Sequence, residues 1–195
     1  MKWPDNKFMI ETWLSYGWIK DGKSQDSDYL FNDRQGEWSR SISETDENNV
    51  FDYSVAIGFR LDKIDRMKKD DQLIFLMGYS CHSMKLETSK GYSVIPIRAP
   101  FSYQGTSSTY DAKWKGPWIG FEMDENLNGK LNYLFRFEYH LADYYGEANW
   151  ILRDDLSHPK SFEHIADGNG YVFCLGFGYK MYENITLELL TNYQR

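Results

Sequence analysis

Asp26 and Asp28 are the first side chains in the sequence whose type and spacing could do chemistry. On an extended segment, residues two positions apart project to the same side, so these two carboxylates would lie close together. Such a pair can hold a water molecule and act on it as a general base. The alternative is a solvated acidic loop, which Asp-x-Asp sequences usually form. A metal site for calcium is not predicted, because no glycine or distal glutamate follows at the spacing of a calcium-binding loop.

A carboxylate and a histidine occur together further along, where Asp155 and His158 lie in the segment LRDDLSHP. A carboxylate near a histidine can orient the imidazole and stabilise its protonated form. His164, which follows Glu163, competes for the same role. The alternative is a surface loop without a catalytic function.

The elements that must position these residues are β-strands. From Tyr171 to Met181 every second residue is large and apolar, and the residues between them are mostly small or charged. Successive side chains of a strand point to opposite faces, so this segment has one apolar, aromatic face. An apolar outer face and a polar lumen are typical of a transmembrane β-barrel. A soluble β-sandwich is the alternative, but so many inward aromatic residues would overfill a core about 10 Å thick.

The same alternation predicts seven antiparallel strands: 7–19, 50–61, 72–85, 110–124, 131–147, 169–181 and 185–193. The connections 20–49, 86–109 and 148–168 are long, and those at 62–71, 125–130 and 182–184 are shorter. Bacterial barrels have short periplasmic turns and long extracellular loops, so the three long connections are predicted to share the extracellular rim. Asp26 and Asp28 would then face Asp155 and His158 across the barrel mouth.

The composition restricts the class of protein. The 195 residues show no change of composition along the chain, so a single domain over 1–195 is predicted. No apolar run approaches the roughly 20 residues of a membrane helix, which excludes a helical membrane protein. Aromatic residues make up 17% of the chain, as expected for the aromatic girdles of a barrel. The formal net charge of −7 disfavours nucleic acid as a partner.

The termini and the lumen add further expectations. Single-chain bacterial barrels close with an even number of strands, so an odd count predicts that strands are missing from one or both ends. No secretory signal is present, so the numbered chain is expected to be mature or truncated. Cys81 and Cys174 are predicted to be free thiols, because strand residues far apart in sequence need not be neighbours. Inward positions carry both signs of charge, which predicts a lumen plugged by ion pairs; they are Glu11, Asp52, Arg60, Arg136, Glu138, His140, Lys180 and Glu188.

Several of these segments resemble the omptins, a family of ten-stranded outer-membrane proteases. Gly17–Trp18 followed by Asp26–Ser27–Asp28–Tyr29 resembles the omptin segment that ends a strand and carries an Asp-x-Asp pair. Lys113–Gly120 (KWKGPWIG) is similar to the strand after the middle loop, and Met77–Gly78–Tyr79 resembles the start of an earlier strand. The resemblance covers roughly Phe8 to Tyr193 and implies that seven of ten strands are present, without the first two and the last.

The resemblance also implies a site and a location. It places the protein in the bacterial outer membrane and implies that Asp26 and Asp28 act with an Asp–His pair, using water as the nucleophile. Omptin aspartate and histidine are separated by one residue, whereas two residues separate Asp155 from His158.

Omptins need lipopolysaccharide, and Tyr79 and Lys113 resemble two of the residues that bind it. Cys81 and Ser83 replace the expected acidic and basic neighbours, and no other cofactor is implied.

Two functions follow as expectations. The first is a surface endopeptidase with a peptide or protein substrate, in which Asp26 and Asp28 activate water, His158 is the partner base and Asp155 orients it. The second is a non-catalytic outer-membrane barrel that serves as an envelope, adhesion or transport protein. Outer-membrane lipid is the expected partner in both cases.

Overall fold

The computed structural model describes residues 7–61, 72–95, 107–151, 155–182 and 185–194. Eight strands lie within them: β1 (Phe8–Ile19), β2 (Lys23–Phe31), β3 (Gln35–Leu61), β4 (Gln72–Ile95), β5 (Ser108–Asn126), β6 (Leu131–Asn149), β7 (Phe162–Tyr182) and β8 (Ile185–Gln194). Among these residues no helix is long and apolar enough to cross a membrane.

All the strands belong to one antiparallel sheet in the order β1-β3-β4-β5-β6-β7-β8, and β2 pairs with the first part of β3. From β3 onward each strand pairs with the next one along the chain, as in a meander, and β1 pairs with β3. The predicted all-β antiparallel fold is confirmed, and the seven strands of the main order correspond to the seven predicted ones. That further strands are missing stays a prediction.

The prediction of long loops at one end of the sheet is wrong in detail, because the strands continue into those segments. Residues 23–31 and 35–44 form the β2–β3 hairpin where a loop over 20–49 was predicted. Strands β4 and β7 likewise include residues 86–95 and 162–168. The apolar alternation ends earlier than the strands do, since an outer face beyond the lipid has no need of apolar side chains. Residues 96–106 and 152–154 lie outside the described residues.

The sheet has an apolar outer face and a curved inner face. Aromatic side chains in contact across neighbouring strands cover the outer face, as in Phe121–Phe137 at 5.9 Å and Phe137–Phe173 at 5.0 Å between ring centroids. The inner face, here called the lumenal face, has the opposite parity and includes the buried cluster of Ala56, Ile74, Leu76 and Trp118. This is the distribution that the strand alternation predicts.

The close approach of the Trp118 ring explains why position 78, on the lumenal face, is a glycine. A Cβ on Gly78 would lie 2.4 Å from the Trp118 ring, so glycine leaves the room in which this indole packs. The indole also donates a hydrogen bond from Nε1 to the Ser54 hydroxyl at 3.1 Å. Gly78 and Ser54 together place Trp118 flat against the inner wall of β3–β5.

Both cysteines are free and buried, as predicted. Cys81 has the parity of the outer face of β4, whereas Cys174 has the lumenal parity of β7. The two thiols therefore lie on opposite faces of strands that are not neighbours in the sheet.

Candidate functional site

An ion cluster centred on Arg136 occupies the lumen. Its guanidinium donates hydrogen bonds to both carboxylate oxygens of Glu11 at 2.7 and 2.8 Å, to Glu138 at 2.6 Å and to Glu122 at 3.2 Å. Glu11 belongs to β1 and Arg136 to β6, with three strands between them in the sheet. The contact therefore requires the sheet to curl, with this face on the inside.

Aromatic and polar side chains complete the ion cluster. His140 Nε2 lies 2.7 Å from Glu138, and the imidazole stacks on Trp118 at 5.5 Å between ring centroids. The Arg136 guanidinium lies 5.6 Å from the centre of the same indole. Mixed charges on the inward parity predicted such ion pairs, and a guanidinium with three carboxylate partners is the arrangement that offsets the cost of burying its charge.

A second feature, here called the rim cavity, lies at the end of the sheet where the strands extend past the apolar band. Its volume is about 170 Å³. Five strands and the start of the β6–β7 connection contribute its lining, which consists of Ser24, Gln25, Asp26, Ser41, Ser43, Leu86, Thr88, Ser108, Thr109, Tyr110, Trp150, Phe162 and His164. Hydroxyls, aromatic rings, one carboxylate and one imidazole therefore face the same space.

The predicted carboxylate pair lies on β2 rather than in a loop. Asp26 is opposite Ser41 and Asp28 is opposite Ser39, so strand geometry puts both carboxylates on the same face of the hairpin. The register shifts directly after Asp28, between this residue and Tyr29. Asp26 lines the rim cavity, and Asp28 is not among the lining residues.

The predicted partners of this pair lie in the β6–β7 connection. Asp155 and His158 are both exposed, and His158 Nδ1 is 2.9 Å from Asn149 Oδ1 at the end of β6. Neither residue is among those that line the rim cavity. The roles of Asp28, Asp155 and His158 stay predictions.

The histidine that shares the rim cavity with Asp26 is His164, on the lumenal parity of β7. Its ring lies 5.1 Å from that of Phe162, which in turn lies 6.1 Å from Trp150. Sequence reasoning noted His164 only as a competitor and missed Tyr110, Trp150 and Phe162. Strand parity could have identified them, if the alternation of inward and outward residues had been extended beyond the apolar part of each strand.

Beside the rim cavity, a group of outer-face side chains connects the end of the β6–β7 connection to β6 and β7. Lys160 Nζ lies 2.6 Å from the Tyr145 hydroxyl, 3.0 Å from Glu163 and 3.2 Å from Glu147. A hydrogen bond from Tyr145, and then the Lys160 ammonium, lower the pKa of Glu147. Lys160 lowers the pKa of Glu163 in the same way. These charges face water above the apolar band, so each pair contributes little to stability.

The residues that resemble a lipopolysaccharide site lie on the outer face. Tyr79 is partly exposed, opposite Pro117, and Lys113 is exposed, opposite Ser83. They belong to adjacent strands but lie four register positions apart, about 13 Å along the strand direction. Across the sheet Tyr79 is opposite Val55 and Pro117, and Lys113 is opposite Ser83 and Tyr145. Within the described ranges no group of three or more metal-ligating side chains occurs.

Comparison with known proteins agrees with this architecture. The outer membrane protease OmpT of Escherichia coli has a similar structure, with a TM-score of 0.68 and 12% sequence identity, over 97% of this chain and 65% of that one. No curated protein matches the chain. Residues 4–195 match the family described as Protochlamydia outer membrane protein, or Pom. The chain therefore belongs to the Pom family and is a β-barrel protein of the bacterial outer membrane.

Proposed function

We propose that this protein is a cell-surface endopeptidase whose site is the rim cavity. The observation that supports the proposal is that Asp26 of β2 and His164 of β7 line one cavity, although 138 positions separate them in sequence. A carboxylate and an imidazole facing one cavity can both exchange a proton with a water molecule bound between them. OmpT, which shares the fold, is described as a protease.

The reaction in this proposal is hydrolysis of a peptide bond by water. Asp26, with Asp28 beside it on the same face of β2, accepts a proton as the water oxygen attacks the carbonyl carbon. The C–N bond then breaks and the leaving nitrogen takes up a proton. His164 is the acid or base on the opposite wall, in the role that the sequence assigned to His158.

A second candidate is a non-catalytic barrel, and one observation favours it. Phe162 stands two positions before His164, where the omptin pattern of one residue between aspartate and histidine would have a carboxylate. An imidazole without that carboxylate lacks the group that fixes its tautomer and orientation. The ion cluster across the lumen argues against free passage of solutes, so an envelope or adhesion role is the stronger form of this candidate.

Peptide hydrolysis by four variants separates these functions. The refolded protein in detergent with lipopolysaccharide is incubated with a library of quenched fluorescent peptides, and the rate of cleavage is measured. Asp26→Asn and His164→Asn are each expected to lower the rate at least about a hundredfold. His158→Asn tests the original assignment, and Asp33→Asn, in the exposed turn after β2, is the matched control.

The cleavage rates show which histidine acts and whether the protein is catalytic. If His158→Asn loses activity and His164→Asn does not, His158 in the β6–β7 connection, and not His164, is the acid or base. Absence of cleavage by the wild-type protein, with the barrel shown to be folded, would favour the non-catalytic candidate.

We also propose that Tyr79 and Lys113 contact outer-membrane lipid, including lipopolysaccharide. The support is their position on the outer face near the border between apolar and charged rows. Tyr79→Ala combined with Lys113→Ala should weaken lipopolysaccharide binding, whereas Tyr182→Ala at the far end of β7 should not. Equal binding by both variants would contradict the assignment.

A further inference from the structure

Between the ion cluster and the rim cavity, the lumenal face carries side chains that neither site uses. Asp52 of β3 and His82 of β4 are directly opposite in register, and Asp52 Oδ1 is hydrogen-bonded to His82 Nδ1. The His82 side chain is 47% exposed and that of Asp52 is 20% exposed. Because Nδ1 contacts the carboxylate, Nε2 is the ring nitrogen left for another partner.

Aromatic side chains continue from this pair toward the rim cavity. The His82 ring lies 5.4 Å from Trp114, and Trp114 lies 4.8 Å from Tyr144 between ring centroids. The Tyr144 hydroxyl is hydrogen-bonded to that of Tyr110, which lines the rim cavity. Trp114, Tyr144 and Tyr110 are called the aromatic strip here. Trp114 is 37% exposed, so part of its indole is accessible from the lumen.

We propose that the Asp52–His82 pair and the aromatic strip form a binding site for a neutral saccharide. A sugar ring has a face of C–H groups that packs against an aromatic ring, and hydroxyls at its edge that both donate and accept hydrogen bonds. Carboxylate, imidazole and phenol groups supply matching acceptors and donors. Aromatic walls with a few polar groups are the usual composition of a small-molecule site.

The charges of the site favour a neutral ligand over an ion. The Asp52 carboxylate repels anions, and the chain as a whole carries a formal charge of −7. Oδ1 of Asp52 is already hydrogen-bonded to His82, so a cationic ligand would have to compete with that contact. A neutral ligand with hydroxyl groups needs no charged partner, and its hydroxyls can form hydrogen bonds with the carboxylate, imidazole and phenol groups of the site.

The proposal does not rest on the proposed peptidase, although Tyr110 belongs both to the aromatic strip and to the rim cavity. His82 precedes Leu86, a residue of the rim cavity, by four positions on the same strand, which is about 13 Å. A ligand beside Asp52, His82 and Trp114 would therefore lie deeper in the lumen than a peptide at Asp26. Loss of one activity leaves the other measurable.

Binding of maltotriose, a neutral probe, tests the proposal. The refolded protein in detergent is titrated with maltotriose, and its affinity is measured by isothermal titration calorimetry, with saturation-transfer NMR to detect weak contact. Trp114→Leu is expected to weaken binding about tenfold or more. His82→Gln should weaken it as well, since it removes a ring held by Asp52. Trp38→Leu, an exposed tryptophan of the β2–β3 hairpin, is the matched control and should bind like the wild type.

Three results would overturn the proposal. They are no detectable binding of maltotriose by the wild-type protein, equal binding by Trp114→Leu and wild type, and tighter binding of arginine amide than of maltotriose, which would make the site a cation site. Heat-modifiable migration on a gel confirms that each variant is folded. If Trp114→Leu does not fold, His82→Gln carries the test alone, and unchanged affinity in that variant contradicts the proposal.

Discussion

At the scale of single residues, tyrosines illustrate how the same side chain has different surroundings along one strand. Tyr139 lies on the apolar outer face of β6, in contact with Tyr171 at 5.3 Å. Tyr144 lies five positions later on the lumenal face, and its hydroxyl is hydrogen-bonded to that of Tyr110. In the adjacent row of the outer face, Asp143 is opposite Lys115, and two charged side chains there indicate that this part of the sheet lies beyond the lipid. Tyr144 therefore lies in the part of the sheet beyond the apolar band.

A pH dependence follows from Tyr144. Burial, and then the hydrogen bond to Tyr110, raise the pKa of Tyr144 to about 12 from its usual value near 10. The folded state thus holds this proton more tightly than the unfolded state does. The resulting stability is fully present below about pH 10 and is lost as the pH rises toward about 12.

Urea unfolding of the detergent-solubilised protein across this pH window measures the effect. The midpoint should fall between about pH 10 and about pH 12 in the wild-type protein and fall less in Tyr144→Phe. Tyr182→Phe, an exposed residue at the end of β7, should keep the wild-type slope. An identical slope in all three proteins would show that Tyr144 titrates alike in the folded and unfolded chain.

At the scale of elements, sequence periodicity predicted the strands that face lipid and missed the strand segments that extend beyond it. Within the apolar band, each strand must place aromatic or aliphatic side chains outward, and the pattern from Tyr171 to Met181 is unambiguous for that reason. Beyond the band both faces are polar, so the β2–β3 hairpin has no apolar alternation although it has regular pairing. Asp26 was therefore predicted in a loop although it lies on β2, and its shared cavity with His164 could be seen only in the folded sheet.

The tip of the β2–β3 hairpin depends on an unusual backbone. Asp33, Arg34 and Gly36 all have positive φ, and Gly36 has φ 67°. A Cβ at Gly36 would also lie 2.9 Å from the Phe31 ring. Gly36→Val should therefore loosen the hairpin, because a β-branched residue is strained in this region of φ.

Limited proteolysis measures this loosening. Cleavage between residues 23 and 44 should become faster in Gly36→Val, while the thermal midpoint of the barrel changes little. Gln35→Val, at the exposed first position of β3, is the matched control and should be cleaved at the wild-type rate. If both variants lower the thermal midpoint equally, the hairpin and the barrel unfold as one unit.

At the scale of the whole molecule, the ion cluster is what joins distant parts of the sheet. Backbone hydrogen bonds connect only neighbouring strands, but the Arg136 side chain connects β6 to β1. The Arg136 side chain is 16% exposed and that of Glu11 is 30% exposed. We expect this cross-lumen contact between partly buried charges to fix the curvature of the sheet, which periodicity along single strands does not predict.

Removal of Arg136 is therefore expected to be costly. Arg136→Met leaves Glu11, Glu122 and Glu138 facing one another without the cation, and loss of one partner of a buried ion pair typically costs about 3–5 kcal/mol. Glu11→Gln should cost less, because Arg136 keeps Glu122 and Glu138. Glu44→Gln breaks the exposed pair with Lys90 at the rim and should change the free energy of unfolding by less than about 1 kcal/mol.

The free energies of unfolding of these variants, measured in urea after refolding in detergent, show whether the lumen holds the barrel together. A double-mutant cycle between Arg136→Met and Glu11→Gln isolates the contact between β6 and β1, and a coupling energy well above zero is expected. Additive effects would mean that the curl of the sheet is set by its backbone pairing alone. The ion cluster would then fill the lumen without determining its width.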